Sequence, residues 1–255
     1  MRPNRIKQMW REGTCVRLGW LSVPNGFTAE VMARQGFDAL CVDMQHGLTD
    51  FSDLWPMLQA VSQTDTVPIV RVPWNDPATI MKALDMGAYG IIVPLVNTGV
   101  EAAAAVAACR YPPVGMRSSG PLRAALYGGS NYQAEANGEI VVLVMIETKE
   151  GLANLDAICA TPGLDGVYIG PADLSYALGL PPRGDNPDAR HLETCDRIRD
   201  AAHRHSIKAC MHCASAAFAA GAVARGFDLI MLTSDVACLT AGARRQLDDL
   251  KAATA

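Results

Sequence analysis

Charged side chains stand at or just after the ends of four apolar runs in this chain. Asp43 lies near the end of ALCVDM, Arg71 lies within PIVRVP, Glu147 ends IVVLVMIE, and Asp173 follows GVYIGP by two residues. Leaving a charge buried without a partner is costly, so charges that converge on one place need a shared partner. His46 follows Asp43 by three residues, and histidine titrates near neutral pH. These residue types could together bind a cation and move a proton.

Two of these residues, Glu147 and Asp173, are candidates for binding a divalent cation. Two carboxylates, with the other coordination positions open to water or substrate, suit Mg²⁺ or Mn²⁺ better than a closed zinc site. The alternative for Glu147 is a salt bridge to Lys149 or Arg71, and the alternative for Asp173 is a helix N-cap in PADLS. Taken together, the two carboxylates favour the metal.

The remaining polar residues suit substrate binding and proton transfer. Arg71 would complement an anionic substrate or a developing enolate oxygen, and its alternative role is a structural partner for Asp43. His46 could move a proton while Asp43 fixes its orientation. The alternative for His46 is that it is an exposed loop histidine, which is the interpretation that an isolated DxxH motif would favour.

Eight apolar runs must position these residues. They lie at 16–22, 39–44, 68–73, 90–96, 140–147, 166–171, 208–214 and 228–235. Their hydrophobicity is continuous, which indicates burial on both faces of a parallel sheet. Helical patterns separate them, for example from Asn75-Asp76-Pro77 to Gly87, from Thr98 onward, and over 214–226 and 235–250. The whole chain, 1–255, is therefore predicted to be one (β/α)₈ (TIM) barrel domain, with a doubly wound open sheet as the alternative.

Two long connections, 111–139 and 172–188, are rich in Gly, Pro and polar residues. Loops of this length in a compact domain are usually functional. The second follows a strand and is predicted at the mouth, because barrel active sites lie at the carboxyl ends of the strands. The first follows a helix, so it begins at the opposite face and is a candidate for a subunit contact.

The composition narrows the classes of partner. Charged residues are 19% of the 255 and the net charge is -4, with no basic stretch that could neutralise a run of phosphates, so nucleic acid is not expected as a partner. The N-terminus has no apolar segment typical of a secretory signal, and no window suits a membrane span. Eight scattered cysteines fit reduced thiols in a cytoplasm. Cys210 and Cys213, in CMHC, are predicted to be buried small hydrophobic residues rather than half of a zinc site.

Several segments resemble the HpcH/HpaI family, and they occur in that family's order. They are FDALCVDMQHG, PIVRVPWNDP, GIIVPLVNT, RYPPVGMRSSG, VMIETKEGLANLDAI and GVYIGPADLSYALG. The family comprises metal-dependent (class II) pyruvate aldolases, such as 4-hydroxy-2-oxoheptanedioate and 2-keto-3-deoxy sugar-acid aldolases. The resemblance implies reversible cleavage of a 4-hydroxy-2-oxo acid into pyruvate and an aldehyde, with hydroxypyruvate as a second donor to be tested.

The resemblance also implies roles for individual residues. Glu147 and Asp173 would ligate Mg²⁺, Mn²⁺ or Co²⁺, Arg71 would hold the keto or enolate oxygen, and His46, paired with Asp43, would be the base that acts through a water at the metal. The backbone at Gly170, Pro171 and Ala172 would bind the carboxylate of the substrate, and Trp20 would form part of the pocket wall. The family implies a homo-oligomer, a hexamer built as a trimer of dimers, with the last helix packed on a neighbour.

Some positions depart from the family pattern and are candidates for specificity. Gln45 stands where many members have Glu, Met145 where several have Gln, and His212 where the residue is often aliphatic. His212 could add a polar contact to a hydroxylated donor, or it could be a core histidine. Arg117, in the RYPPVGMRSSG segment, is a further candidate.

Other reaction classes remain as alternatives. A Schiff-base (class I) aldolase needs a lysine inside the barrel, and of the five lysines only Lys149 is predicted near the mouth. An acyl-CoA lyase of the same superfamily would want a longer chain and a basic nucleotide-binding surface. A phosphosugar isomerase would want a glycine-rich phosphate loop after the last two strands. A non-catalytic barrel would not need every one of the proposed catalytic residues.

Overall fold

The computed structural model describes residues 1–254, which form a closed barrel of eight parallel strands in chain order. The strands are β1 (Val16–Leu21), β2 (Ala39–Asp43), β3 (Val67–Arg71), β4 (Gly90–Val93), β5 (Val141–Met145), β6 (Gly166–Ile169), β7 (Lys208–His212) and β8 (Leu229–Ser234). Each begins within one residue of the apolar run that predicted it. The barrel is confirmed, and the open sheet is wrong.

The helices lie around this barrel. They are α1 (Arg5–Arg11), α2 (Gly26–Ala33), α3 (Phe51–Val61), α4 (Pro77–Asp85), α5 (Gly99–Cys109), α6 (Leu122–Gly128), α7 (Tyr132–Glu139), α8 (Lys149–Ala153), α9 (Leu155–Cys159), α10 (Pro171–Ala177), α11 (Ala189–Arg204), α12 (Ala216–Ala224) and α13 (Asp235–Thr254). The predicted start of α4 is confirmed, because the Asp76 side chain accepts from the Thr79 amide at 2.8 Å and Pro77 is the first helical residue. This N-cap satisfies an amide that has no partner within the helix.

Burial on both faces explains why the strands have continuous apolar sequences. Every residue of β2 through β6 is buried, and each fully buried Val, Leu or Ile side chain contributes about 1.5–3 kcal/mol. The parallel register between β2 and β3 pairs Asp43 with Arg71. The core therefore fixes two charged side chains next to each other at the carboxyl end of the barrel.

The two segments expected to be long loops contain helices. The segment 111–139 includes α6 and α7, and the segment 172–188 begins inside α10. Their Gly, Pro and polar content obscured short helical runs such as LRAALYG and YQAEANGE. The break between α6 and α7 includes Gly129, whose φ of 96° lies in the left-handed region that glycine adopts without steric cost. Only 178–188 connects α10 to α11 without a helix.

The last helix, α13, is exposed along almost its whole length. Asp235 is its one buried residue, and its carboxylate accepts from the amides of Ser22 and Val23 after β1. Four large apolar side chains of α13 are exposed, namely Val236, Leu239, Leu247 and Leu250. Among residues 1–254, no helix is both long and apolar enough to cross a membrane.

The cysteines of the CMHC segment are both buried, as predicted. Burial raises the pKa of Cys213 to about 12, and burial also places the pKa of Cys210 far above the ordinary range of a thiol. Metal ligation requires the thiolate. The structure therefore supports their interpretation as small hydrophobic residues of the barrel wall.

Candidate active site

A buried ion pair lies at the carboxyl ends of β2 and β3. Arg71 donates from Nε to Oδ1 of Asp43 at 2.9 Å and from Nη2 to Oδ2 at 2.6 Å, and both residues are buried. Burial alone would raise the pKa of Asp43, but the hydrogen bonds and the charge of Arg71 hold that pKa below its usual value. The carboxylate stays ionised and fixes the guanidinium in a bidentate geometry. The structural partnership considered for Arg71 is therefore present.

Trp20, on β1, contacts both members of this ion pair. Its indole Nε1 donates to Oδ2 of Asp43 at 3.1 Å, and the Arg71 guanidinium carbon lies 4.8 Å from the centre of the ring. A cation over the face of an indole is attracted by the ring quadrupole. Trp20 thus lies in the wall of the barrel mouth, where it was predicted.

Asp43 contacts His46 differently from the sequence prediction. Its Oδ1 accepts from the backbone amides of Gln45 at 3.0 Å and His46 at 3.3 Å, so it shapes the loop after β2 and does not bind the imidazole. The direct Asp43–imidazole pair is wrong, because Arg71 and Trp20 occupy the remaining positions around the carboxylate. The side chain of His46 is exposed at the mouth. Gly47 is needed in this turn, since a Cβ would lie 2.2 Å from the Asp43 carbonyl oxygen.

Glu147 lies directly after β5 and is 3% exposed. Its Oε1 accepts from the Leu95 amide at 3.0 Å, and its Oε2 lies where a Cβ on Gly170 would come within 2.0 Å. Only glycine at position 170 leaves room for this carboxylate. Burial raises the pKa of Glu147 to about 7, with Asp173 adding to the rise and the Leu95 amide and Arg71 opposing it.

Asp173 is exposed in the first turn of α10. The N-cap of α10 is Gly170, so the alternative of Asp173 as an N-cap is wrong. Glu147 follows β5 and Asp173 follows the adjacent strand β6, so both lie at the carboxyl-end rim of the barrel. The charge of Asp173 adds to the rise in the pKa of Glu147. The salt bridge considered between Glu147 and Lys149 does not occur among the described residues, where Lys149 is exposed at the start of α8.

A divalent cation fits this pair of carboxylates. Glu147 is buried with one oxygen facing Gly170, and a positive ion would offset both its desolvation and its repulsion by Asp173. Carboxylate oxygens are ligands that Mg²⁺ and Mn²⁺ prefer. Within residues 1–254, no set of three or more His, Cys, Asp or Glu side chains is arranged to hold a metal. Water and substrate would therefore have to complete the coordination.

Comparisons with known proteins identify the family of this chain. The family model for HpcH/HpaI aldolase/citrate lyase matches residues 18–241. The chain belongs to the HpcH/HpaI aldolase/citrate lyase family. The resemblance found in the sequence is thereby confirmed, and the chain is an enzyme of carbon–carbon bond chemistry.

The relatives of this HpcH/HpaI protein are named aldolases. A hydroxypyruvate/pyruvate aldolase of Rhizorhabdus wittichii is 43% identical over 249 residues, which cover 98% of this chain and 99% of that one. A 2-keto-3-deoxy-L-rhamnonate aldolase of Salmonella gallinarum is 39% identical and covers 90% of this chain and 89% of that one. Among solved structures, an HpcH/HpaI aldolase/citrate lyase family protein from Burkholderia cenocepacia has a TM-score of 0.90 at 32% identity, over 97% of this chain and 99% of that one.

His212 belongs to the wall of the HpcH/HpaI site. Its Nδ1 lies 3.1 Å from the hydroxyl of Tyr168, and its ring stands edge-on to Trp20 with centroids 5.0 Å apart. Burial and, to a smaller extent, the charge of Arg71 lower the pKa of His212 to about 4. The imidazole is therefore neutral at physiological pH. It is both a packed histidine of the barrel interior and a polar group at the mouth.

The other specificity candidates divide into two groups. Gln45 and Met145 lie at the site: the Gln45 side-chain oxygen is buried without a hydrogen-bond partner among the described residues, and Met145 Cε lies 2.9 Å from the Cβ position of Gly170. Arg117 does not lie there. It is buried in the helical layer, where it donates to the Tyr132 hydroxyl at 3.0 Å and to Asp85 at 2.8 Å, so its assignment to specificity is wrong.

The loop after β4 contributes residues that the sequence did not single out. Leu95 donates its amide to Glu147, and its φ of 53° is rare for a residue other than glycine. Asn97 and Thr98 follow an apolar run at the same rim, and that polar pair was the available signal in PLVNT. Pro171 and Ala172 lie in the first turn of α10, where Pro171 is buried and Ala172 is exposed.

Proposed function

We propose that the protein is a metal-dependent aldolase that reversibly cleaves 4-hydroxy-2-oxo acids into pyruvate and an aldehyde. The observation that carries the proposal is that buried Glu147 and Asp173, after β5 and β6, lie on the same carboxyl-end rim as the Arg71–Asp43 pair at the ends of β2 and β3. The names of the relatives, which include a hydroxypyruvate/pyruvate aldolase, support an oxo-acid donor of this class.

Glu147 and Asp173 would hold the cation, Mg²⁺, Mn²⁺ or Co²⁺. When bound there, it supplies Lewis-acid polarisation of the oxo acid. Asp43 engages Nε and Nη2 of Arg71, which leaves Nη1 to donate to the substrate's keto oxygen. As negative charge develops on that oxygen, a fixed guanidinium stabilises it without reorganisation. The free amides of Ala172 and Asp173, at the start of α10, suit the substrate carboxylate.

His46 would move the proton. It accepts the proton of the C4 hydroxyl through a water molecule, the C3–C4 bond breaks, and C4 leaves as the aldehyde carbon. The electron pair of the broken bond passes into the enolate, whose oxygen faces Arg71. Uptake of a proton at C3 then gives pyruvate. Gln45, Met145 and His212 line the same mouth and are proposed to adjust which donors and aldehydes bind.

Removing the metal tests the reaction class. We expect chelator-treated protein to lose about a hundredfold or more of its aldol-cleavage rate, because the Lewis acid contributes several kcal/mol to the transition state. Adding Mg²⁺, Mn²⁺ or Co²⁺ should restore the rate. Glu147→Gln should bind Mn²⁺ more weakly and should not be restored. Full activity after chelation would refute the metal-dependent reaction.

The Schiff-base alternative needs its own control. Borohydride added with pyruvate should leave the wild-type protein unmodified, and Lys149→Ala should keep the wild-type rate. Lys149 is exposed at the first residue of α8, away from the low-dielectric surroundings that make a lysine amine nucleophilic. Covalent capture of pyruvate that disappears in Lys149→Ala would establish the class I reaction instead.

We infer that the chain forms a homo-oligomer, a hexamer built as a trimer of dimers. The support is the exposed apolar surface of α13, since large exposed apolar patches mark interaction sites. Light scattering after gel filtration should give six times the 27.2 kDa chain mass. Replacing Leu239 and Leu247 by Glu should yield smaller species, whereas Lys251→Ala should not. A wild-type monomer would contradict this assembly.

A further inference from the structure

The loop that follows β4 binds the candidate metal ligand Glu147 through the Leu95 amide, and an asparagine of the same loop contacts Leu95 and Thr148. We propose that Asn97 is a positioning residue that fixes the carboxylate of Glu147 for the cation. This inference rests on the proposed function, in which Glu147 is a metal ligand. It assigns to Asn97 a role that acts through Leu95 and Thr148 and involves no contact with substrate.

The first connection runs through Leu95. Its amide donates to Oε1 of Glu147 at 3.0 Å, and it can do so because the backbone at Leu95 adopts φ 53°. That left-handed conformation is unfavourable for leucine, so it persists only where surrounding contacts hold it. Such strained positions cluster at functional sites.

Asn97 supplies the contact that holds Leu95. Its side-chain Nδ2 donates to the Leu95 carbonyl at 3.1 Å, which fixes the peptide on the far side of the strained residue. Its side-chain Oδ1 accepts from the hydroxyl of Thr148, the residue directly after Glu147. One amide group therefore connects the residue that binds Glu147 with the residue that follows Glu147. The contacts form a closed ring that includes the carboxylate of Glu147.

The backbone of Asn97 is also fully used. Its N–H donates to Glu101 Oε2 at 2.6 Å, and its carbonyl accepts from Asn154 Nδ2 at 2.8 Å. Gly151, in α8, lets the two loops approach, since a Cβ there would lie 3.0 Å from the Val96 carbonyl oxygen. With both ends of the residue held, the side-chain amide has one orientation in which its donor faces Leu95 and its acceptor faces Thr148.

The chemistry at position 97 requires an asparagine. An aspartate could accept from Thr148 but has no hydrogen to donate to the Leu95 carbonyl, and an alanine can do neither. Groups that hydrogen-bond a metal ligand, or fix its surroundings, typically change metal affinity by about 10- to 100-fold when they are removed. A residue that only joined two loops would change stability and leave metal affinity unaltered.

The test measures Mn²⁺ binding to chelator-stripped protein, from the electron paramagnetic resonance signal of free Mn²⁺. We expect Asn97→Ala to raise the Kd for Mn²⁺ by about 10- to 100-fold. The matched control is Asn75→Ala, which removes a side-chain hydrogen bond to the Glu101 carbonyl but has no contact with Glu147. That control should bind Mn²⁺ as the wild type does.

A second pair of variants keeps the test decisive if Asn97→Ala folds poorly. Thr148→Val removes the hydroxyl that donates to Oδ1 of Asn97, and Thr148→Ser keeps that hydroxyl. Both variants keep a small side chain, and only the serine also preserves the hydroxyl that receives the Gly151 amide at 2.9 Å. The Kd for Mn²⁺ should rise in Thr148→Val and return close to the wild-type value in Thr148→Ser.

The outcomes separate this inference from the proposed function. If Glu147→Gln weakens Mn²⁺ binding while Asn97→Ala and Thr148→Val do not, the positioning role is refuted and the metal site stands. If wild-type protein does not bind Mn²⁺, or Glu147→Gln binds it as tightly as the wild type, the proposed function is refuted and this inference with it. A Kd that rises in Asn97→Ala and Thr148→Val, but not in Asn75→Ala or Thr148→Ser, supports the inference.

Discussion

Replacing Arg71 by alanine is expected to lower kcat for aldol cleavage by about 10²- to 10³-fold, the usual effect of removing one donor to a developing oxyanion. The same change leaves Asp43 buried without its bidentate partner. Breaking a buried pair in this way typically costs about 3–5 kcal/mol of stability. Both effects can be measured, the first by steady-state kinetics and the second by urea unfolding.

The loss of the ion pair also changes the direction in which stability depends on pH. In the wild type the folded-state pKa of Asp43 is lowered, so the pair stabilises the fold above the unfolded-state pKa of about 3.9 and the contribution is lost as the pH falls through the lower, folded-state value. Without Arg71, only the hydrogen bonds from Trp20 and the loop amides oppose the burial of Asp43, and we expect burial, the largest of these effects, to raise its pKa above the unfolded-state value. The variant should then gain stability when the pH falls from neutral toward that raised pKa, which is opposite to the wild type.

A double variant separates the structural loss from the catalytic one. Arg71→Ala combined with Asp43→Asn has no buried unpaired charge, so its stability should recover part of the loss, while kcat should stay low. Arg71→Lys should also stay well below the wild type, because an ammonium group cannot form the bidentate pair. A kcat unchanged in Arg71→Ala would mean that Arg71 serves only as the partner of Asp43.

Replacing His46 by alanine should lower kcat by about 10²- to 10⁴-fold, the range associated with a general base. The binding of pyruvate should change little, because the loop keeps its shape. Asp43 binds the backbone amides of Gln45 and His46, and alanine at position 46 preserves its own amide. Kinetics with a saturating aldol substrate, and competition by pyruvate, would measure the two effects separately.

A second histidine provides the control for this prediction. His203 pairs with Asp228, which lies just before β8 and therefore at the amino-terminal end of the barrel. His203→Ala should keep the wild-type kcat. Added imidazole should restore part of the activity of His46→Ala by replacing the missing proton acceptor. An intact turnover number in His46→Ala would remove this residue from the proton-transfer step.

The strands and one side of the site could be predicted from the sequence, because both follow from short-range patterns. An apolar run of six to eight residues indicates where a buried strand begins, and parallel strands bring their carboxyl ends together. Asp43 and Arg71 end adjacent strands, so their pairing follows from the register. The same reasoning placed Glu147 at the mouth, whereas Trp20 was placed there by the family resemblance.

Other parts of the site depend on contacts that no local pattern contains. The left-handed backbone at Leu95 is stabilised by an asparagine that also binds Thr148, 51 residues away from it. Arg117 was wrongly assigned to specificity because a charge after a Pro-Pro pair gives no sign of its partners. Asp85, which binds it, lies 32 residues earlier in the chain.

The crowding around one carboxylate limits how this enzyme can change. Asp43 receives five hydrogen bonds, from Arg71, Trp20 and the amides of Gln45 and His46, although a carboxylate offers only about four acceptor positions. Any substitution of Asp43 would remove contacts at the ends of three strands and in one loop. We therefore expect Asp43 to stay unchanged in natural relatives and in the active members of laboratory libraries. New aldehyde preferences would have to arise elsewhere, and the helix-free stretch 178–188 beside the mouth can vary without disturbing that anchor.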